Sequence, residues 1–300
     1  MLKRREREVG AAAESLAKRS CEAALDEECR LTEDRECESA GPVKVSVSYD
    51  MGWQKRGRAH NSLSGVGIAI GTRSGQVVGY GTRNKRCSVC HTAQQKNRDP
   101  PEHDCRRNFS KSSKAMEADV AVEIASNIAS SGKAKVGQVV GDDDSSTIAK
   151  LRAHVDSSIE KLSDVTHAKR TLGNHLYAIK KDYRQLSEMV ISYLQKMFGY
   201  ALKQHKNDPS GLREALMVIV PHAYGCHSDC GSWCGYKKNP ESYRHRGLPH
   251  GKDLTDMNLK STLLTEFNVW ADQAEKLAPL GSSQANEAAN NTVCSKAPKA

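Results

Sequence analysis

From Pro42 onward the chain alternates. Val43, Val45, Val47 and Tyr49 are separated by Lys44, Ser46, Ser48 and Asp50. This period of two predicts a strand with one buried face and Asp50 at its polar, C-terminal end. Gly65–Ile70 and Gln76–Thr82 read as two more strands, and the Thr72-Arg73-Ser74-Gly75 turn makes them a hairpin. The period then lengthens over 112–130, where Ala121, Ile124, Ala125 and Ile128 share one helical stripe. Val136–Val140 is a short strand running into Gly141-Asp142-Asp143-Asp144. A helix over 145–154, an extended piece near 159–165 and a long helix from 167 follow. The predicted order is β-β-β-α-β-α-β-α.

After about residue 183 the pattern is helical. Leu186, Met189, Val190, Tyr193, Leu194 and Met197 form one apolar face, and Leu212, Leu216 and Ile219 another that Pro221 should stop. Residues 225–253 read as a loop rich in Gly, Pro, Cys and His, and Leu259–Leu277 as helix. Residues 1–41, dominated by Lys, Arg, Glu and Ala, read as a charged helix ending at Gly41-Pro42.

Charge and cysteine content narrow the chemistry. Forty-five basic against 36 acidic side chains give +9 over 300 residues, which makes an anionic partner plausible. The apolar runs, such as Val66–Ile70 and Ala215–Val220, fall far short of the roughly 20 residues of a membrane span. The opening MLKRREREVG has no apolar core of a secretory signal. A secreted or membrane protein is therefore not expected, and the 10 cysteines need a role other than a disulfide framework.

Cys87-x-x-Cys90 has the spacing of a zinc knuckle, with His103 and Cys105 close enough to complete a Cys₃His site and His91 a rival for the fourth place. His222, Cys226, Cys230 and Cys234, with His227 among them, form a second candidate zinc site; on a helix its spacing would put ligands on one face. Lys55, Arg56 and Arg58, then Arg106, Arg107 and Lys111, concentrate positive charge of the kind that neutralises DNA phosphates.

Asp50 and Asp142 both sit where strands end. Three antiparallel strands, a helix and a fourth strand can bring those ends side by side, and paired carboxylates there would hold hard divalent cations. The competing reading of Asp142-Asp143-Asp144 is a helix N-cap.

The stretch SYDMGWQKRGRAHNSLSGVGIAIGTRSGQVV, then CSVC with HDC, NFSKSSKAMEAD, VVGDDDSS and HAYGCHSDCGSWCGYKK, resembles the transposase domain of Mutator-like elements. That resemblance implies an α/β fold: a ribonuclease H-like mixed sheet flanked by helices, with an all-α insertion before the last catalytic helix. Beyond the charged N-terminal segment read over 1–41, it implies a core over 42–183 with the zinc-knuckle-like insert at 87–105, a helical insertion with the second Cys/His cluster over 184–279, and a final core helix over 280–300. The implied activity is Mg²⁺- or Mn²⁺-dependent DNA strand cleavage and transfer in the nucleus, by a homo-oligomer acting on element ends and target DNA. The implied acids are Asp50, Asp142 and, from the N-E-x-x-N segment, Glu287, with Asp144 a possible additional acid and Glu117 structural. In the position of a family C-x-x-H element, this chain has Asp164 before His167. The alternative expectation is an inactive or domesticated remnant that binds DNA as a zinc-containing protein.

Overall fold

The structure, a computed structural model, describes residues 2–33, 41–54, 62–142 and 145–296. Two compact units emerge: residues 1–161 with 282–300, and residues 162–281.

The first unit is built on the predicted strands. β1 (Val43–Trp53), β2 (Ser64–Gly71), β3 (Val77–Asn84), β4 (Ala134–Gly141) and β5 (Glu160–Ser163) form one sheet in the order β3-β2-β1-β4-β5. β1 runs antiparallel to β2 and β2 antiparallel to β3, whereas β1 and β4 are parallel. This mixed, open sheet flanked by helices is the ribonuclease H-like arrangement expected. The hairpin turn forms as predicted, and Gly75 takes φ +67°, a conformation that favours glycine.

Four helices belong with this sheet: α1 (Leu2–Glu33), α2 (Ser88–Gln95), α3 (Lys114–Ser130) and α4 (Ser145–His154). The core joins Val45, Val47 and Tyr49 of β1 to Met116, Val120 and Ile124 of α3. α1, read from the sequence as a charged helix, also contributes to this core. Ala24, Leu25, Glu28, Cys29 and Thr32 are buried, and the helix packs on β1, β2 and β3. Glu28, fully buried, accepts hydrogen bonds from the backbone N–H groups of Arg73 (3.0 Å) and Ser74 (2.7 Å) and so ties the hairpin turn to α1. The last helix, separated by the second unit in sequence, is α11 (Gln284–Lys296), which packs on β1 and β2.

The second unit is helical: α5 (Val165–Ile179), α6 (Glu188–Gln204), α7 (Pro209–Ala223), α8 (Gly235–Lys238), α9 (Met257–Ala271) and α10 (Ala274–Leu277). α5, which the sequence assigned to the core, lies in this unit. Side-chain caps start four of these helices, from Asp164, Ser187, Asp208 and Asp256. Leu172, Leu194, Phe198, Leu216, Leu263 and Phe267 fill its core. Pro221 does not stop α7; it sits in the last turn, and the helix runs on to Ala223. No helix among the described residues is long and apolar enough to cross a membrane.

Candidate functional site: strand-end acids and two cysteine–histidine clusters

The parallel register fixes the two aspartates, although only Asp142 follows a strand end; Asp50, expected at the C-terminal end of its strand, lies inside β1, which stays paired with β2 as far as Trp53. Ser48 pairs with Val140, and each acid lies two residues further along its strand direction, Asp50 on β1 and Asp142 just past β4. The backbones are close there: a Cβ on Gly141 would lie 3.3 Å from the Tyr49 carbonyl oxygen. Asp50 is partly exposed and Asp142 exposed, so both are open to ions and solvent. Asp143 and Asp144 lie outside the described residues, as do Lys55, Arg56, Gly57 and Arg58.

Glu287 reaches the same end of the sheet by way of α11. Two asparagines fasten this helix. Asn286 Nδ2 donates to the Ser48 (3.1 Å) and Ile68 (2.8 Å) carbonyl oxygens, and Asn290 Nδ2 donates to Asp50 Oδ2 (2.8 Å). Both asparagines are buried, while Glu287 between them is exposed. Residues three and four apart share a helix face, so Glu287, three residues before Asn290, rides on the side that meets Asp50. Gly52 makes room for this contact, because a Cβ there would come within 2.8 Å of Asn290 Oδ1. Neither asparagine carries weight in composition or periodicity; only their spacing of four around the glutamate marks them.

Tyr49 ties a fourth carboxylate to this region. Its hydroxyl donates to the Glu117 carbonyl oxygen at 2.7 Å. Burial, and then the negative charges of Glu117 and Asp50, raise the phenol well above its ordinary pKa, so it stays protonated. Glu117 and Asp142 line one small cleft with Thr147 and Lys161.

The first cysteine–histidine cluster follows β3. Cys87 Sγ and Cys90 Sγ lie 3.2 and 3.3 Å from His103 Nε2, and Cys90 Sγ lies 3.6 Å from Cys105 Sγ. A tetrahedron with zinc bonds of about 2.0–2.3 Å has edges of about 3.3–3.8 Å. These four residues could hold a metal ion. His103 Nδ1–H donates to the Pro101 carbonyl (2.7 Å), which leaves Nε2 to face the sulfurs. Cys87 and Cys90 sit at the start of α2, not on a bare turn, and His91, the rival ligand, instead lies 3.1 Å from Arg86. The Cys87 thiol is pulled down to about 6, first by the Cys90 backbone N–H. Cys90 is pushed up to about 11 by desolvation and by hydrogen bonds with Cys105 and Cys87. Three thiolates so close repel one another, and a bound cation would remove the conflict.

The second cluster differs from its sequence prediction. His222, His227, Cys230 and Cys234, all buried, form the group that could hold a metal ion. His222 Nδ1 lies 3.0 Å from His227 Nδ1, 3.3 Å from Cys230 Sγ and 3.8 Å from Cys234 Sγ. Cys226, expected as a ligand, is exposed, with its thiol 3.5 Å from Ser228 Oγ. The reason is conformational: the chain leaves α7 at Ala223 and forms a loop, so the helical spacing that would have placed Cys226 beside Cys230 does not apply. His222 Nε2 sits 3.2 Å from the Tyr243 hydroxyl, and desolvation lowers its pKa to about 3, keeping the ring neutral as a ligand must be. Burial, and then the neighbouring Cys234 thiol, push the Cys230 thiol up to about 12.

Asp164 serves as a helix cap. Buried, it accepts from the Thr166 (2.6 Å) and His167 (2.9 Å) backbone N–H groups. Arg106 is exposed and paired with Asp104 at 2.7 Å, while Arg107 and Lys111 stand exposed on the same loop.

A family model described as Mutator-like transposase matches residues 1–234. The chain belongs to the Mutator-like transposase family. The match takes in Asp50, Asp142 and both cysteine–histidine clusters; Glu287 lies beyond it. Membership implies DNA as the partner. No curated protein and no solved structure matches this transposase-family chain.

Proposed function

We propose that this Mutator-like transposase chain cleaves DNA strands and joins the released ends to target DNA, with Asp50, Asp142 and Glu287 as its metal-holding acids. The observation that carries the reading is the Asn290–Asp50 hydrogen bond, which brings the Glu287-bearing helix to the stretch of β1 beside which Asp142 emerges from β4. The donor set is all oxygen and at least partly exposed, which fits a hard cation such as Mg²⁺ or Mn²⁺. A bound pair of such ions supplies positive charge to the attacking and leaving oxygens of a phosphodiester.

The chain's own part is to hold and orient. Asn290 fixes one oxygen of Asp50 and leaves the other for an ion. Asn286 fixes α11 to the sheet, and Asp142 closes the site from β4. In cleavage, water adds to phosphorus, the bond to the 3′ oxygen breaks, and that oxygen takes up a proton. In transfer, the resulting 3′-OH gives up its proton, adds to a target phosphorus and displaces the target's 3′ oxygen. Zinc at Cys87, Cys90, His103 and Cys105, and at His222, His227, Cys230 and Cys234, would have a structural role, since both sets supply four protein ligands. Chromosomal DNA as substrate implies the nucleus, and synapsis of two ends implies a homo-oligomer.

The test is cleavage and joining of labelled linear DNA with Mg²⁺ or Mn²⁺, beside Asp50→Asn and Glu287→Gln. Products lost in both variants support the assignment, and joined strands separate a transposase from a nuclease. DNA binding without products from the parent would favour the binding-only reading, for which the two metal clusters already speak.

A further inference from the structure

The loop from Lys85 to Ser113 has two anchors. One is the first cysteine–histidine cluster. The other is the last residue of β3, Asn84, whose carbonyl accepts from the Asn108 and Phe109 N–H groups at 3.0 and 3.1 Å. The Asn108 side chain adds two bonds, accepting from Asn84 N–H (2.7 Å) and donating to the Thr82 carbonyl (2.9 Å). Phe109 is buried in the core. Between Arg98 and Asn108, by contrast, no backbone–backbone hydrogen bond among the described residues holds the loop. Only Arg106 and Arg107 separate the metal-cluster residue Cys105 from the anchored Asn108.

Those two anchors frame a polar cleft lined by Lys85, Arg107, Asn108, Phe109 and Ser110. Two cations, an amide and a hydroxyl converge there, and no carboxylate among the described residues lines it. The nearby acid, Asp104, is engaged by Arg106 at 2.7 Å. That is the chemistry of a phosphodiester site.

We propose that metal binding by Cys87, Cys90, His103 and Cys105 assembles this cleft into a clamp for the DNA backbone, so that DNA affinity is coupled to zinc. The inference rests on DNA being the partner, but not on the strand-end acids or on catalysis. Closing the metal cluster fixes Cys105, and with Asn108 already tied to β3, Arg107 is held at both ends opposite Lys85. Without the metal, Arg107 loses its upstream tether, and its charge spends less time at the phosphate. Each phosphate contact contributes a slope of about −0.9 in log K against log salt. Loss of the Arg107 contact alone then changes the slope by about 0.9, equivalent at 0.1 M salt to about 8-fold in affinity, and loss of both contacts by about 1.8, or about 60-fold.

The experiment measures zinc content and binding of a labelled DNA duplex across a salt series for the full chain, Cys105→Ser, Lys85→Ala/Arg107→Ala, and the combination. Cys105→Ser should lose one zinc equivalent, keep the second cluster's metal, and bind DNA about 8-fold more weakly with a slope shallower by about 1. Lys85→Ala/Arg107→Ala should keep its zinc and bind about 60-fold more weakly, and adding Cys105→Ser to it should cost little more. This surface pair guards against a folding defect in the cysteine variant. Cys105→Ser binding DNA with unchanged slope after losing its zinc would overturn the clamp alone. So would inorganic phosphate displacing the duplex at matched ionic strength, which would make the cleft a free-phosphate site. A parent chain without salt-dependent DNA binding would overturn the DNA reading and the clamp together.

Discussion

Asn286→Ala isolates the contact that seats α11. The two bonds from its amide to the Ser48 and Ile68 carbonyls, at 3.1 and 2.8 Å, are lost, and the side chain is fully buried. At about 0.5–1.5 kcal/mol per bond, docking weakens by about 1–3 kcal/mol. Little else compensates, because the buried residues described within α11 are Asn286 and Asn290, both polar. Since about 1.4 kcal/mol is a factor of ten, amides of α11 should exchange with solvent about 5–150-fold faster, while those of β1 and β2 change little. Hydrogen exchange read by mass spectrometry on peptides covering 284–296 measures this directly. An increase below about 3-fold, or equal acceleration through the whole sheet, would refute the claim that this side chain seats the helix.

Other outcomes follow from the clusters and the pKa directions. His227→Ala should lose the zinc of the second unit, whereas Cys226→Ser should retain it, as metal analysis after gel filtration will show. The ligand atom of His227 lies within 3.0 Å of that of His222, but Cys226 is exposed. Asp156 is lowered from about 3.8 to about 2, first by its hydrogen bonds from Ser158 and then by Lys135. A depressed carboxylate contributes stability that is complete above its unfolded pKa and lost as pH falls toward 2. Asp156→Asn should therefore destabilise the chain at pH 6 and converge with the parent near pH 2 in denaturant titrations.

The sheet was legible in the sequence because alternation in β1 and the Thr72–Gly75 turn are local signals. The pairing of β1 with β4 followed from element order, and it set Asp50 beside Asp142. What escaped was decided by tertiary contacts of polar residues. The buried face of α1 was hidden within a charged helix because it carries Glu28 and Thr32, whose partners are backbone groups. Asn286 and Asn290 dock α11 without any apolar stripe to announce it. Cys226 was misassigned because a spacing of ligands does not say whether the chain between them is helix or loop. α2 went unseen because eight residues between a CxxC and a polar insert carry too weak a period.

The central claim is that Asp50, Asp142 and Glu287 share divalent cations. Mn²⁺ binding followed by paramagnetic resonance on zinc-loaded chain, beside Asp50→Asn, Asp142→Asn and Glu287→Gln, tests it most directly. The account predicts bound Mn²⁺ in the parent and weakened or lost occupancy in each variant. Equal Mn²⁺ binding by all four proteins, or none by the parent with DNA present, would contradict it.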